Sequence, residues 1–200
     1  MSRSLPILLL LILPSVAWAS QPLEPYATYQ GRFYQRLGAR CIQDHGPQPP
    51  CVALLEKSLR YDPNAPLVHY TLGRYHLAVE AGRKALGAFS RAIELDETFT
   101  AARVGQGDAY SLLEDYPAAR EAYHRALSQT PTETEAAYGI AATWAAEMQE
   151  RKALAALEQA LALGFEDMAR IKGDPRWRNV WGSPTLDALL DSKSRLKNAP

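Results

Sequence analysis

Two hundred residues with 47% hydrophobic and 22% charged side chains make an ordinary globular chain of one or at most two domains. Basic and acidic residues balance at 22 each, and no basic stripe is long enough to hold nucleic acid by counterion release, so a polyanionic partner is not expected. Alanine is frequent and long β-branched runs are absent beyond the N-terminal segment, which favours helix.

Residues 1–19 read as a signal peptide. Arg3 supplies the positive start, Leu5 to Val16 form an apolar run broken by prolines and a serine, and Ala17-Trp18-Ala19 is the small-x-small pattern a signal peptidase cleaves. The run falls short of the ~20 residues that span a bilayer, so export with removal of the leader and no stable membrane span is expected, and a periplasmic setting suits it. Residues 20–31 carry Pro22 and Pro25 and read as an extended lead-in.

From there a period of 34 residues governs the chain. Displaced by that length, Gly73 falls on Gly107, Ala85 on Ala119, Phe89 on Tyr123 and Ala92 on Ala126. Small, aromatic and small residues at fixed offsets indicate stacked helix–turn–helix units, here 32–65, 66–99, 100–133 and 134–167. The first is degenerate: Ala39, Leu55 and Pro63 keep register, while Cys51 and Ser58 take the small positions. Pro47, Pro49 and Pro50 rule out a continuous helix across its turn. Cys41 and Cys51 flank that turn, and in an exported chain a disulfide stapling the hairpin is expected, with two unpaired buried thiols as the alternative. The fourth unit keeps Ala141, Ala153 and Ala160 and puts Leu157 in the aromatic place.

One hairpin leaves an apolar face wet, so the array needs stacking and a cap. Residues 168–200 suit that role. Met168 and Ile171 give a short apolar edge, Asp174-Pro175 a helix start followed by Trp177, Val180 and Trp181, and Ser183-Pro184 a second start leading to Leu186, Leu189 and Leu190. Lys193, Arg195 and Lys197 suit that helix's C-terminal end.

The spacing resembles that of the tetratricopeptide repeat (TPR) family over roughly residues 32–167, and the stretch from Gly164-Phe165 through Asp174-Pro175-Arg176-Trp177 resembles a C-terminal segment of many bacterial TPR proteins. The resemblance implies an all-α, TPR-like α-solenoid of three to four repeats with C-terminal capping helices. It departs from the consensus where His69 and Arg103 replace tryptophan. It also implies a concave groove lined by repeat positions 2, 5, 9 and 12, which selects Arg36, Arg40, Tyr70, Arg74, Asp108 and Tyr138 as partner-binding candidates. The Lys and Asn set that clamps a free C-terminal carboxylate in some TPR domains is missing from those positions, so capture of a chain terminus is not expected.

No phosphate-binding loop, His-Glu-x-x-His or Gly-x-Ser-x-Gly motif is present. His69 and His76 stand seven residues apart on one helix, a rise of ~10.5 Å, too far to share a metal ion comfortably. The expectation is therefore a non-catalytic module without cofactor or metal that binds a protein or peptide in the cell envelope and helps assemble a larger complex. The alternatives are a metal-binding or catalytic protein using His69 and His76, or an adaptor that binds through Trp177 and Trp181 of the cap.

Overall fold

A computed structural model describes residues 26–197, and every element among them is helical. The leader, the first part of the lead-in and the side chains of the basic tail lie outside the described residues. Paired helices follow in chain order: α1 (Tyr26–His45) with α2 (Pro49–Tyr61), α3 (Pro66–Ala78) with α4 (Gly82–Leu95), α5 (Thr100–Leu112) with α6 (Tyr116–Gln129), and α7 (Thr134–Ala146) with α8 (Glu150–Leu163). A short α9 (Met168–Gly173), a 3-10 turn (Pro175–Trp177) and α10 (Pro184–Lys197) complete the chain. Among the described residues no helix is long and apolar enough to cross a membrane.

The period does not stop at the fourth unit. First helices begin at Pro66, Thr100, Thr134 and Met168, and second helices at Gly82, Tyr116, Glu150 and Pro184, each 34 residues after the last. The reversal between paired helices repeats too: Gly46, Glu80, Glu114, Met148 and Gly182 all take positive φ, at 74°, 55°, 60°, 58° and 80°. Residues 168–197 are thus a fifth unit in register, with its first helix broken. Glycine adopts that left-handed conformation freely, whereas Glu80, Glu114 and Met148 hold it against the clash between Cβ and the carbonyl.

Each aromatic ring of the period is clasped by two glycines. A Cβ added to Gly73 would lie 2.6 Å from the Phe89 ring, and one added to Gly105 of the next unit 2.5 Å. Tyr123 is held in the same way between Gly107 at 2.5 Å and Gly139 at 2.4 Å. The buried alanines Ala85, Ala92, Ala119, Ala126, Ala153 and Ala160 let the helices of each hairpin close around these rings. Where Leu157 replaces the aromatic, the corresponding glycine, Gly173, has open space.

The first unit departs from expectation. Tyr26–Gly31, read as extended, are the opening turns of α1. Gly38, and not Ala39, meets Leu55, with its added Cβ only 2.8 Å from that side chain, and Ala39 is exposed. The helix runs one residue further before the turn at Gly46, so its side chains are rotated by about 100° from the register of the other units. Ser58 Oγ donates to the Gly31 carbonyl at 2.8 Å, and buried Cys51 is bonded to Cys41 across the proline-rich turn, with Cα atoms 5.3 Å apart.

Along the array α3 packs on α5 and α5 on α7, so the first helices form the inner layer. The fifth unit leaves that layer at Gly173. Only one 3-10 turn forms where an amphipathic helix carrying Trp177, Val180 and Trp181 was expected, with Asp174 capping it by accepting from the Arg176 N–H at 3.0 Å. The turn lies on α7, and Trp177 is fully buried with Ala141, Ala142, Ala145, Val180 and Leu186. Trp181 parts from it and is 47% exposed.

Candidate binding groove

The inner layer carries two adjoining cavities. One, of about 660 Å³, is lined by Tyr70, Arg74 and Leu77 of α3, Val104 and Asp108 of α5, and Glu135 of α7. The other, of about 740 Å³, takes Ser111 and Tyr116 from the α5–α6 hairpin and Asp174, Arg176 and Arg178 from the fifth unit. Leu77 and Asp108 line both and mark the divide.

At the first cavity Tyr70 leans on Phe99 and Phe89, with ring centroids 5.0 and 5.8 Å away. Arg74, one helical turn on, lies over the Tyr70 ring at 6.0 Å and is exposed. Among the described residues neither the Tyr70 hydroxyl nor the Arg74 guanidinium has a hydrogen-bond or ion-pair partner. Two of the three carboxylates opposite are engaged, Glu135 with Arg170 and Asp108 as acceptor of the Tyr123 hydroxyl at 2.7 Å; the third is Glu133. Burial pushes the Asp108 carboxyl above the usual carboxylate range, against the opposing pull of the Tyr123 hydrogen bond and of Arg176 and Arg170. Burial, then the Asp108 charge, pushes the Tyr123 phenol well above its ordinary value.

Tyr138 sits at the same repeat position in the fourth unit and is closed off. Its ring is fully buried and stacks on Phe165 at 4.4 Å. Its hydroxyl donates to the Asp174 carboxylate at 2.8 Å, and Arg170 and Arg176 approach its face at 4.9 and 5.9 Å. Arg176 forks onto Asp174 through Nε at 3.0 Å and Nη2 at 2.6 Å. Burial works to raise the Asp174 carboxyl, but the Arg176 guanidinium and the Tyr138 hydroxyl outweigh it and hold it below the usual range. The expectation that Tyr138 lines an open groove is therefore corrected, and Ala142 and Ala145 beside it are covered as well.

Arg36 and Arg40 are both exposed and line neither of these cavities, and Arg40 approaches Asp44 at 3.7 Å. The structure brings together Tyr70, Arg74 and Asp108 with Glu133, Glu135, Arg170, Asp174 and Arg176. The signal for the last three was the period itself, which reaches Met168, and the Gly173-Asp174-Pro175 break that stops α9.

No family model matches the chain. It overlays the structure of MamA residues 41 to the end from Desulfovibrio magneticus RS-1 with a TM-score of 0.65 and 16% identity, covering 85% of this chain and 98% of that one. It overlays the first TPR domain of Spaghetti (RPAP3), bound to the HSP90 peptide SRMEEVD, with a TM-score of 0.54 and 18% identity over 56% of this chain and 89% of the other. This chain has the tetratricopeptide-repeat fold. A chloroplastic protein from Arabidopsis thaliana is 34% identical over 88 residues, 42% of this chain. The matched stretch is 26% of that relative's length.

Within the TPR fold, the two departures from the consensus tryptophan share one role. His69 Nε2 donates to the Pro63 carbonyl at 2.9 Å, and Arg103 Nη2 to the Glu97 carbonyl at 2.9 Å, each tying a first helix to the turn before it. His76 packs edge-on against Tyr75 at 5.2 Å, and burial and then Lys84 push its imidazole pKa down, with Glu56 opposing. Among the described residues no group of three or more His, Cys, Asp or Glu side chains gathers as a metal site.

Proposed function

We propose that this chain is a non-catalytic protein-interaction scaffold whose inner face, across α3 and α5, holds an extended segment of a partner protein. The observation that carries the reading is the 660 Å³ cavity, where an aromatic ring, a guanidinium and aliphatic side chains stand without intramolecular partners for their polar groups. Tyr and Arg of this kind anchor interfaces, because a rigid amphipathic ring and a planar fork lose little entropy on binding. The TPR likeness supports it by analogy of fold, and the RPAP3 domain holds its peptide as a domain of that fold.

The leader reading extends the proposal: export, removal of residues 1–19, and work in the cell envelope, the periplasm of a bacterium, assisting assembly of a larger complex. The Cys41–Cys51 bond suits an oxidising compartment. A second reading rests on Trp181, a large ring 47% exposed beside the last helix, which would make the fifth unit the docking face. Paired substitutions decide between them. With the groove as the site, Tyr70→Ala combined with Arg74→Ala abolishes partner pull-down and Trp181→Ala leaves it intact; the reverse pattern moves the site to the cap.

A further inference from the structure

Tyr70 and Tyr138 stand two repeats apart at one repeat position, and one of the two is already occupied. At Tyr138 the occupant is the chain's own Asp174-Pro175-Arg176-Trp177. The phenol donates to a carboxylate at 2.8 Å, arginines lie on the ring face, a phenylalanine stacks beside it, and an indole seals the site. At Tyr70 no chain segment fills the place: Arg74 of α3 itself lies over the ring, where the fourth unit has Ala142 and receives Arg170 and Arg176 from the fifth, Phe99 stands beside it, and a cavity of about 660 Å³ opens in front. The difference arises because α5 continues past Gly105, whereas the fifth unit's first helix breaks at the equivalent Gly173 and swings Asp174 inward.

We propose that the Tyr70–Arg74 seat takes a side-chain carboxylate from the partner, as Tyr138 takes Asp174. The partner segment then carries an aspartate or glutamate with a large apolar residue close after it, the latter resting on Leu77, Ala78 and Val104 of the cavity wall. The proposal deepens the groove reading above and rests on it. Of the carboxylates lining the cavity, Glu135 is engaged by Arg170 and Asp108 by Tyr123, while Glu133 stands on the wall beside Glu135; among the described residues Arg74 is the lining cation without an ion-pair partner, and it is the group that faces an incoming acid. A chain terminus is not required, since Asp174 makes its bonds from the middle of a chain.

The test is a titration of the full chain, leader removed, against a fluorescent peptide Gly-Asp-Pro-Arg-Trp-Arg-Asn with both ends blocked, a copy of residues 173–179. Saturable binding is expected, weakened roughly tenfold by Tyr70→Phe, by Arg74→Gln and by asparagine in place of the peptide's aspartate, and weakened by salt. Both protein variants are conservative or exposed, and their circular dichroism should match the parent. Absence of saturable binding up to about 1 mM overturns the proposal, as does affinity indifferent to Arg74→Gln. If a cellular partner crosslinks at position 70 yet its binding survives Arg74→Gln, the acid seat fails while the groove reading stands. If crosslinking occurs only from the cap, the groove reading itself fails.

Discussion

The Tyr138 hydroxyl donates to the Asp174 carboxylate at 2.8 Å, fastening the fifth unit's inward turn to the inner face of α7. Tyr138→Phe removes that bond but keeps the ring against Phe165. A loss of about 1.5–3 kcal/mol in urea unfolding is expected, since the acceptor is charged and largely buried. Hydrogen exchange should accelerate first in residues 168–191.

The same carboxylate sets an acid limit. Asp174 titrates below its unfolded value, so its stabilisation is full above that value and is lost as pH falls through the folded one. Asp174→Asn should cost stability at neutral pH and flatten the decline between about pH 4 and pH 2. An unchanged acid limb in the variant would detach the limit from this residue.

Asp108 has the opposite sign. Burial raises its folded value above the unfolded one, so stability falls as pH rises from the unfolded value through the folded value. Asp108→Asn retains an acceptor for the Tyr123 hydroxyl and should raise the melting temperature at neutral pH, with the gain shrinking in acid. A variant less stable at pH 7 than the parent would show that Arg176 and Arg170 outweigh the burial.

Gly139 and Gly173 share a repeat position but not an environment. Gly139→Ala drives a methyl into the Tyr123 ring and should cost about 1–3 kcal/mol. Gly173→Ala meets nothing and should fall within about 0.5 kcal/mol of the parent. Equal effects at the two sites would contradict the clasped-ring packing.

Much of this architecture is visible in the residue pattern, because only glycine fits against the clasped ring and only a side chain as small as alanine lets the paired helices close around it. Hence Gly73, Gly107, Ala119 and Tyr123 announce the period, and the cysteines beside the proline-rich turn announce the staple. The groove was less legible. A one-residue extension of α1 brings Gly38 rather than Ala39 against Leu55 and shifts Arg36 and Arg40 by the same step, and such a slip leaves Leu55 and Pro63 in register and no mark on spacing. The loss of Tyr138 to Asp174 is a tertiary event: Asp-Pro reads equally as a helix start and as the inward turn it becomes. Trp177 and Trp181 look alike at helical spacing, and only the arrest of that helix after one 3-10 turn buries one and exposes the other.

The reversal between helices offers a gain in stability. Met148 takes φ 58° while 70% exposed, where Gly46 and Gly182 stand in the first and fifth units. Met148→Gly should stabilise by about 1 kcal/mol, raising the melting temperature by ~2–4 °C. A decrease would mean that the Met148 side chain supports the turn more than its backbone strains it.

The central claim is that a partner lies on the open half of the inner face, against α3 and α5. The direct measurement is in-cell crosslinking from a photoreactive residue at position 70, compared with the same residue at position 181. The account predicts a captured protein from position 70 that is lost when Arg74 becomes glutamine. Capture from position 181 alone would contradict it.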